Sequence, residues 1–188
     1  TAEQIDPLFT IDLSDPRSPK LVGELEVPGF STYLHPIADD RILAIGVGGD
    51  QNGANWNAQV SLFDVTDRAE PSLMDTHELV ASGWGWSEAQ YEHKAFQYFA
   101  PKKMLAVPMS SYREVPAPEG GWNYFWESKL EILNVDPEVG VTRHGSVDHS
   151  RFYNGSWWGS ADVRRSIFMG DFIYSISAHA VTVNRLDN

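Results

Sequence analysis

The chain has 188 residues, of which 42% are hydrophobic and 12% aromatic, and its formal net charge is -12. This length is enough for one domain with a sizeable core, and the acidity argues against nucleic acid or an anionic membrane as a partner, because both attract basic surfaces. There is no cysteine, which excludes disulfides, thiolate metal sites and a cysteine nucleophile. No run of 18 apolar residues occurs, so the sequence predicts no membrane span.

In chain order, short apolar segments predict a protein built almost entirely of β-strands. They are rich in Val, Ile, Phe and Tyr, alternate with polar residues and end at Gly, Pro, Asp or Asn. The segment 87–96 is the one helix-like string.

One hairpin pattern recurs along the chain. Residues 8–27 and 60–79 each hold an alternating strand, a Ser/Thr-Asp turn, a Pro and a second strand. Residues 130–147 are a degenerate third copy, and residues 181–188 begin a fourth. The anchor side chains at the end of the first strand are Asp12, Asp64, Asn134 and Asn184. Asp suits this position because it accepts a hydrogen bond from the backbone N–H two residues on.

A second strand–turn–strand unit lies between these hairpins, in residues 33–46, 91–108 and 163–177. The two units together form a repeat of four antiparallel strands, about 50 residues long, which is the size of a β-propeller blade.

The strand count predicts about three and a half blades. The segments are the last two strands of one blade, a complete blade, a complete blade with an insertion at 113–126, and an incomplete blade, in residues 1–29, 30–83, 84–150 and 151–188. Closed propellers typically need at least four blades. We therefore expect blades from the same precursor or a second copy to complete the ring; the alternative is a short open repeat array or sandwich. The chain opens at Thr1 without Met, so we expect a removed leader or a longer parent protein.

Five strings carry a family resemblance: "DPLFTIDLSDPRSPKLVGEL", "GFSTYLHPI", "VSLFDVTD", "SEAQYEHKAF" and "VRRSIFMGDFIYSIS". In this order they resemble the bacterial secreted proteins with a C-terminal β-propeller domain, and the hairpin is similar to the LVIVD type of propeller repeat. The likeness runs from about Asp6 to Leu186. It implies further blades upstream, export, often to the bacterial envelope, and no established enzymatic activity.

The loop "GGDQNGANWN" at 48–57 is a candidate metal site. Asp50, Asn52, Asn55 and Asn57 offer oxygen ligands, and Ca²⁺ takes six to eight oxygens. The alternative is a plain turn between two strands, where Gly and Asn are favoured. Asp50 and Asn52 are the main candidate ligands.

Three nitrogen-bearing side chains occupy equivalent positions in the second unit: His35, His93 and Arg165. If this unit begins with the innermost strand of each blade, they line the axial channel and can bind an anion or an acidic ligand. The alternative is that each makes a local bond between blades. Glu92 is not expected to orient His93, since neighbouring strand residues point to opposite faces.

Three segments concentrate tryptophan: Trp84 and Trp86, Trp122 and Trp126, and Trp157 and Trp158. Exposed loop tryptophans present flat apolar faces to a sugar, a peptide or a partner protein. The alternative is aromatic packing between blades. The insertion at 113–126 strengthens the first interpretation, because recognition often lies on loops.

No GxSxG, HExxH or P-loop motif occurs. We therefore expect a non-catalytic binding or scaffold propeller, secreted, periplasmic or on the cell surface, whose aromatic loops bind a protein or polysaccharide. One alternative is a metal- or His-dependent enzyme with its site at the propeller axis. Another is a structural protein that self-assembles through open blade edges.

Overall fold

The computed structural model describes residues 7–49, 56–80, 83–153 and 161–187. Within these ranges the chain forms fourteen β-strands and four short 3₁₀ helices, and the strands lie in antiparallel sheets. The prediction of an all-β fold is confirmed. No helix in the described ranges is long and apolar enough to cross a membrane.

The chain divides into two compact units, and the first holds the residues up to Glu78 together with Asp136–Val141. It contains a two-stranded sheet, β1 (Leu8–Asp12) and β2 (Lys20–Leu25). It also contains a four-stranded sheet in the order β3, β4, β5, β6, with bounds Phe30–Ala38, Arg41–Gly48, Asn57–Asp64 and Ser72–Glu78.

The second unit holds Leu79–Val135 and Thr142–Asn188. Its larger sheet has the order β11, β10, β9, β7, with β8 also paired to β9; the bounds of β7 to β11 are Trp84–Trp86, Gln97–Phe99, Met104–Pro116, Trp122–Asp136 and Gly140–Asp148. A three-stranded sheet follows, with β12 at Val163–Met169, β13 at Phe172–Ser177 and β14 at Val181–Arg185. The 3₁₀ helices are Glu88–Gln90, His93–Ala95, Ala100–Lys102 and Ser150–Phe152.

The repeated aspartates close their turns as the sequence predicts. Asp12 Oδ1 accepts the Ser14 N–H at 2.8 Å, and Asp64 Oδ1 accepts the Thr66 N–H at 2.8 Å. Hydrogen bonds from the Ser14 backbone and hydroxyl lower the pKa of Asp12, and hydrogen bonds from the Thr66 hydroxyl and backbone lower the pKa of Asp64.

The third copy keeps the predicted position and changes the turn. Asn134 pairs with Met104 as Asp64 pairs with Arg41, and Val135 N donates to Lys103 O at 2.8 Å as Val65 N donates to Asp40 O at 2.9 Å. The side chain that accepts an amide two residues on is Asp136 in this copy, whose Oδ1 accepts the Glu138 N–H at 2.9 Å. Pro137 suits this turn, because a proline after the first turn residue presets the backbone.

Each of the two units has its own apolar core. In the first unit the central strands β4 and β5 are buried on both faces, and their fully buried side chains include Leu43, Ile45, Val60, Leu62 and Phe63. In the second unit a cluster joins the larger sheet to the three-stranded one; its members are Met104, Ala106, Leu130, Ile132, Val147, Val163, Ile173 and Leu186. Burial on both faces is what a sheet acquires when it is stacked between others.

The two smallest sheets expose large apolar side chains to solvent. In the first unit these are Phe9, Ile11, Leu21 and Val22 of β1 and β2. In the second unit they are Ile167, Met169, Phe172, Val181 and Val183 of β12 to β14. Exposed apolar strand faces of this kind mark surfaces suited to association.

The prediction that His93 lies in a strand is wrong. The segment from Ser87 to Phe96 contains two 3₁₀ helices instead. The Ser87 hydroxyl accepts the Ala89 N–H while the Gln90 side chain accepts the Ser87 N–H, and the Glu92 carboxylate accepts the Lys94 N–H. These local bonds between side chains and backbone favour two successive 3₁₀ turns over an extended chain. The strands β7 and β8 lie on either side of these turns.

Candidate functional site

Trp84 and Trp86 meet Trp126, which is distant in sequence, on one face of the larger sheet in the second unit. Tyr112 of β9 stands directly opposite Trp84 of β7 on one side and Trp126 of β10 on the other. Trp86 lies two residues beyond Trp84, and alternate strand residues share a face. By the same rule Tyr124 and Trp122 extend this surface along β10. The aromatic face therefore comprises Trp84, Trp86, Tyr112, Trp122, Tyr124 and Trp126.

Four of these rings form a contiguous cluster. Ring centroids are 4.9 Å apart for Trp84 and Trp86, 5.2 Å for Trp86 and Trp126, and 5.1 Å for Tyr112 and Trp126. The first two pairs are tilted by 40° and 47°, and the third is edge-on at 63°. All three distances lie within the range of favourable aromatic contacts, and the edge-on pair also has a preferred orientation.

The outer part of this face lies on a hairpin, residues 112–126, that extends past its neighbouring strands. We call this hairpin the arm. On one side β7 reaches only to Tyr112. On the other side β11 ends at Asp148, and the next amide, His149 N, donates to Ser128 O at 2.8 Å. Gly120 and Gly121, both with φ near 90° (89° and 88°), form the turn, a conformation that glycine adopts without strain.

The rings on the arm are open to solvent. Trp122 is 58% exposed and Tyr124 62% exposed, while Trp84, at the other end of the face, is 58% exposed. A two-stranded ribbon is marginally stable on its own in water, and large exposed aromatic patches mark interaction surfaces.

The opposite face of β9 and β10 carries a cluster of paired charges at the base of the arm. Glu127 binds Arg113 at 2.8 Å and Lys129 at 2.6 Å, and the Arg113 guanidinium lies 5.4 Å from the Phe125 ring centroid. Burial raises the pKa of Glu127, but hydrogen bonds from Lys129 and Arg113 outweigh this and leave that pKa below its usual value. The carboxylate therefore stays ionised at neutral pH.

Glu114 lies on the aromatic face, directly opposite Tyr124. Its neighbours along β9 on that face are Tyr112 and Pro116, and Trp122 and Trp126 lie diagonally across. Glu114 is exposed, and no cation of the described residues pairs with its carboxylate. The Trp126 indole N–H is buried and also finds no acceptor among the described residues.

His93 and Arg165 belong to an ion-pair cluster of the second unit. Arg165 binds Glu88 at 2.8 Å and Glu92 at 3.5 Å, and Arg164 also binds Glu88. Glu92 Oε1 lies 3.6 Å from His93 Nδ1. The expectation that Glu92 does not reach His93 is wrong, because the 3₁₀ turn removes the alternation of a strand.

His35 lies in β3 of the first unit, where its Nδ1 shares a hydrogen bond of 3.1 Å with the Tyr33 hydroxyl. Burial lowers the pKa of this imidazole. The remaining candidates, Asp50, Asn52, Asn55, Trp157 and Trp158, lie outside the described residues, and Asn57 begins β5. No group of three or more His, Asp or Glu side chains within the described ranges is arranged to hold a metal ion.

Two residues of the aromatic face, Tyr112 and Glu114, were not among the candidates chosen from the sequence. Their place on this face follows from the pairing of β9 with its neighbours, although their position at the start of the insertion was a usable signal.

His149, which follows β11, is fully buried. Its Nε2 lies 2.8 Å from Ser175 Oγ and 3.1 Å from Thr182 Oγ1, and its Nδ1 is unpartnered in the described part of the chain.

Two curated archaeal proteins are similar to this chain. An uncharacterized protein of Archaeoglobus fulgidus is 43% identical over 183 residues, which cover 97% of this chain and 23% of that protein. An uncharacterized protein of Methanocaldococcus jannaschii is 30% identical over 177 residues, which cover 94% of this chain and 23% of that protein. The chain thus spans about a quarter of the length of these relatives. Both are archaeal, whereas the sequence analysis pointed to bacterial proteins.

The sequence pattern of the Beta propeller domain matches residues 1–188. The antiparallel sheets of four strands or more, with central strands buried on both faces, agree with blades of this fold. The chain belongs to the β-propeller domain family.

Proposed function

We propose that this chain is a non-catalytic binding module whose aromatic face binds a protein or a polysaccharide. The observation that carries the proposal is the exposed row of Trp84, Tyr112, Tyr124 and Trp122. Trp84 and Tyr112 pack against the rings of Trp86 and Trp126. Rigid aromatic rings supply large contact areas at a small cost in conformational entropy, and they dominate many interfaces.

Packing between blades is the competing explanation for these tryptophans, and it applies to part of the face. Trp86 and Trp126 are half-buried in the cluster and contribute to stability. Trp84, Trp122 and Tyr124 are more than half exposed, and the latter two lie on the arm beyond the ends of β7 and β11. Their substitution should therefore affect binding much more than folding.

A mutational test separates these roles. Trp84→Ala and Trp122→Ala should each weaken binding of a captured peptide or oligosaccharide about tenfold or more, as is usual for central aromatic contacts, while the thermal midpoint changes little. Tyr91→Ala is the control, because Tyr91 is 80% exposed and lies outside the aromatic face. Binding that is unchanged in both Trp variants contradicts the proposal.

For the propeller itself we infer about three and a half blades in this chain, with the ring completed by further blades. The two-stranded β1–β2 sheet and the three-stranded β12–β14 sheet support this, since both are shorter than a four-stranded blade and both expose apolar side chains. The partial coverage of the two relatives also supports it. We further propose that the protein is exported.

The same exposed strands favour self-association as a second role. Exposed apolar side chains are stabilised when association removes them from water. They include Phe9, Ile11 and Leu21 of the first unit and Val181 and Val183 of the second. Native mass spectrometry of the purified chain over a range of concentrations tests this. A concentration-dependent dimer supports completion by a second copy, whereas a monomer throughout contradicts it and leaves completion by blades of the same protein.

A further inference from the structure

We propose that the ligand of the aromatic face is an extended peptide segment that carries arginine or lysine. This inference rests on the proposed binding function and goes beyond it by naming the chemistry of the ligand. Its basis is a single carboxylate, Glu114, that the register places among aromatic rings without a cation to neutralise it in the described part of the chain.

The surroundings of Glu114 favour a cation by two separate effects. The carboxylate attracts a positive charge directly, and the faces of Tyr124, Trp122 and Tyr112 attract it through their quadrupoles. Cation–π attraction depends on a ring face that is open, and each of these three rings is exposed. One arginine side chain can lie over Tyr124 and reach Glu114 directly across the strand pair, since directly opposed Cβ atoms stand about 5 Å apart.

The distribution of charge on the arm supports the same ligand. On the polar face Arg113 and Lys129 are both engaged by Glu127, so neither cation is directed to the aromatic side. The whole chain carries a formal charge of -12. This negative charge therefore attracts basic ligands to the aromatic face and repels anionic polysaccharides from it.

The tilt of the rings argues against a flat sugar chain as the preferred ligand. Stacking of a linear polysaccharide requires rings that share one plane, whereas Trp84, Trp86 and Trp126 are tilted by 40° and 47° in succession. Tilted rings turn their faces in different directions, and aromatic surfaces of this kind suit extended, proline-containing peptides. Pro116 adds an apolar edge beside Trp122 and restricts pairing of the arm with another strand.

The test uses a twelve-residue peptide of Arg-Pro-Pro repeats, a Gln-Pro-Pro peptide of equal length, and cellohexaose as the neutral sugar. Binding is measured on the intact chain by calorimetry and tryptophan fluorescence. We expect the Arg peptide to bind about tenfold more tightly than the Gln peptide, because ion pairing and cation–π contacts combine. We expect its affinity to fall between about 20 mM and about 500 mM NaCl, as the Debye length shrinks from roughly 20 Å to roughly 4 Å.

Glu114→Gln supplies the decisive variant. It should reduce the affinity for the Arg peptide about fivefold and leave the affinity for the Gln peptide unchanged. Glu24→Gln is the matched control, because Glu24 is also an exposed strand carboxylate but lies on β2 of the first unit. Both positions are on the surface, so both variants should fold.

The outcomes separate this inference from the proposed function. Equal affinities for the Arg and Gln peptides, or stronger binding of cellohexaose, overturn the cationic ligand; if Trp122→Ala still weakens that binding, the aromatic face remains the binding surface. Failure of all three probes to bind overturns the cationic ligand as well. Loss of Arg-peptide binding in both Glu114→Gln and Trp122→Ala, with Glu24→Gln unaffected, supports the cationic ligand.

Discussion

Replacing Arg41 with methionine should destabilise the first unit by about 3 kcal/mol. The Arg41 side chain is only 8% exposed, and its guanidinium donates to Pro137 O at 2.8 Å and to Thr66 Oγ1 at 3.0 Å. The same group lies 3.0 Å from Asp64 Oδ1 and so holds the aspartate of the second repeat turn. Methionine keeps much of the volume and removes the charge and every donor.

The magnitude follows from how exposed the partners are. Breaking a buried ion pair costs about 3 to 5 kcal/mol, because the remaining charge is left without compensation. Asp40 and Glu138 are 47% and 77% exposed, so water solvates them once Arg41 is gone. The loss should therefore fall at the low end of that range. For a chain of this size it corresponds to a decrease in Tm of about 6 to 12 °C.

Thermal and urea unfolding, followed by circular dichroism, measure this loss. Arg113→Met is the matched control: Arg113 is 53% exposed, and its partner Glu127 keeps Lys129 after the substitution. We expect the control to lose no more than about 1 kcal/mol. Equal losses in the two variants would refute the reasoning that burial sets the strength of the Arg41 contacts.

Three further predictions concern packing, pH and metal. Gly46→Ala should destabilise the chain by about 1 to 3 kcal/mol in urea unfolding, because a Cβ there would lie 2.0 Å from Phe30 O, whereas Gly145→Ala, with nothing within 4 Å, should be neutral; equal effects contradict the packing argument. Burial and the nearby charge of Arg151 lower the pKa of His149 in the folded chain. As the pH decreases below about 6.5, His149 is therefore protonated more in the unfolded chain than in the folded one, and stability should fall. Melting temperatures across this range should depend less on pH in His149→Gln than in the wild type, and an unchanged slope refutes this; His93→Gln, at an exposed site, is the control. Native mass spectrometry before and after a chelator tests the loop at 48–57: a Ca²⁺ adduct lost on chelation and absent in Asp50→Ala supports the metal site, and no adduct supports the plain turn.

Features that depend on neighbours in the chain could be predicted from the sequence. The alternating strands and the turns at Asp12 and Asp64 are local, since each Asp bonds to an amide two residues on. The position of Asn134 at the end of the third repeat strand is also correct. The error at His93 is local as well, because the capping side chains Ser87 and Glu92 compete there with the repeat pattern.

The aromatic face could be predicted only in part. The sequence marks Trp84, Trp86, Trp122 and Trp126 as candidates, but it does not contain the register that brings β7, β9 and β10 together. A shift of one residue in that register would turn Tyr112 and Glu114 to the polar side. Register depends on packing between strands far apart in the chain, which no local pattern encodes.

Arg41 has a kinetic consequence as well. Strands β1 to β2, β3 to β6, β9 to β11 and β12 to β14 each pair with the next strand in the chain. Such local hairpins form early, because they close short loops. The bond from Arg41 to Pro137 spans 96 residues within the first unit, so we expect it to form after the local hairpins. Arg41→Met should then accelerate unfolding and leave the folding rate nearly unchanged. We therefore expect the Arg41–Pro137 bond, which forms late, to control the unfolding rate and so the lifetime of the native state.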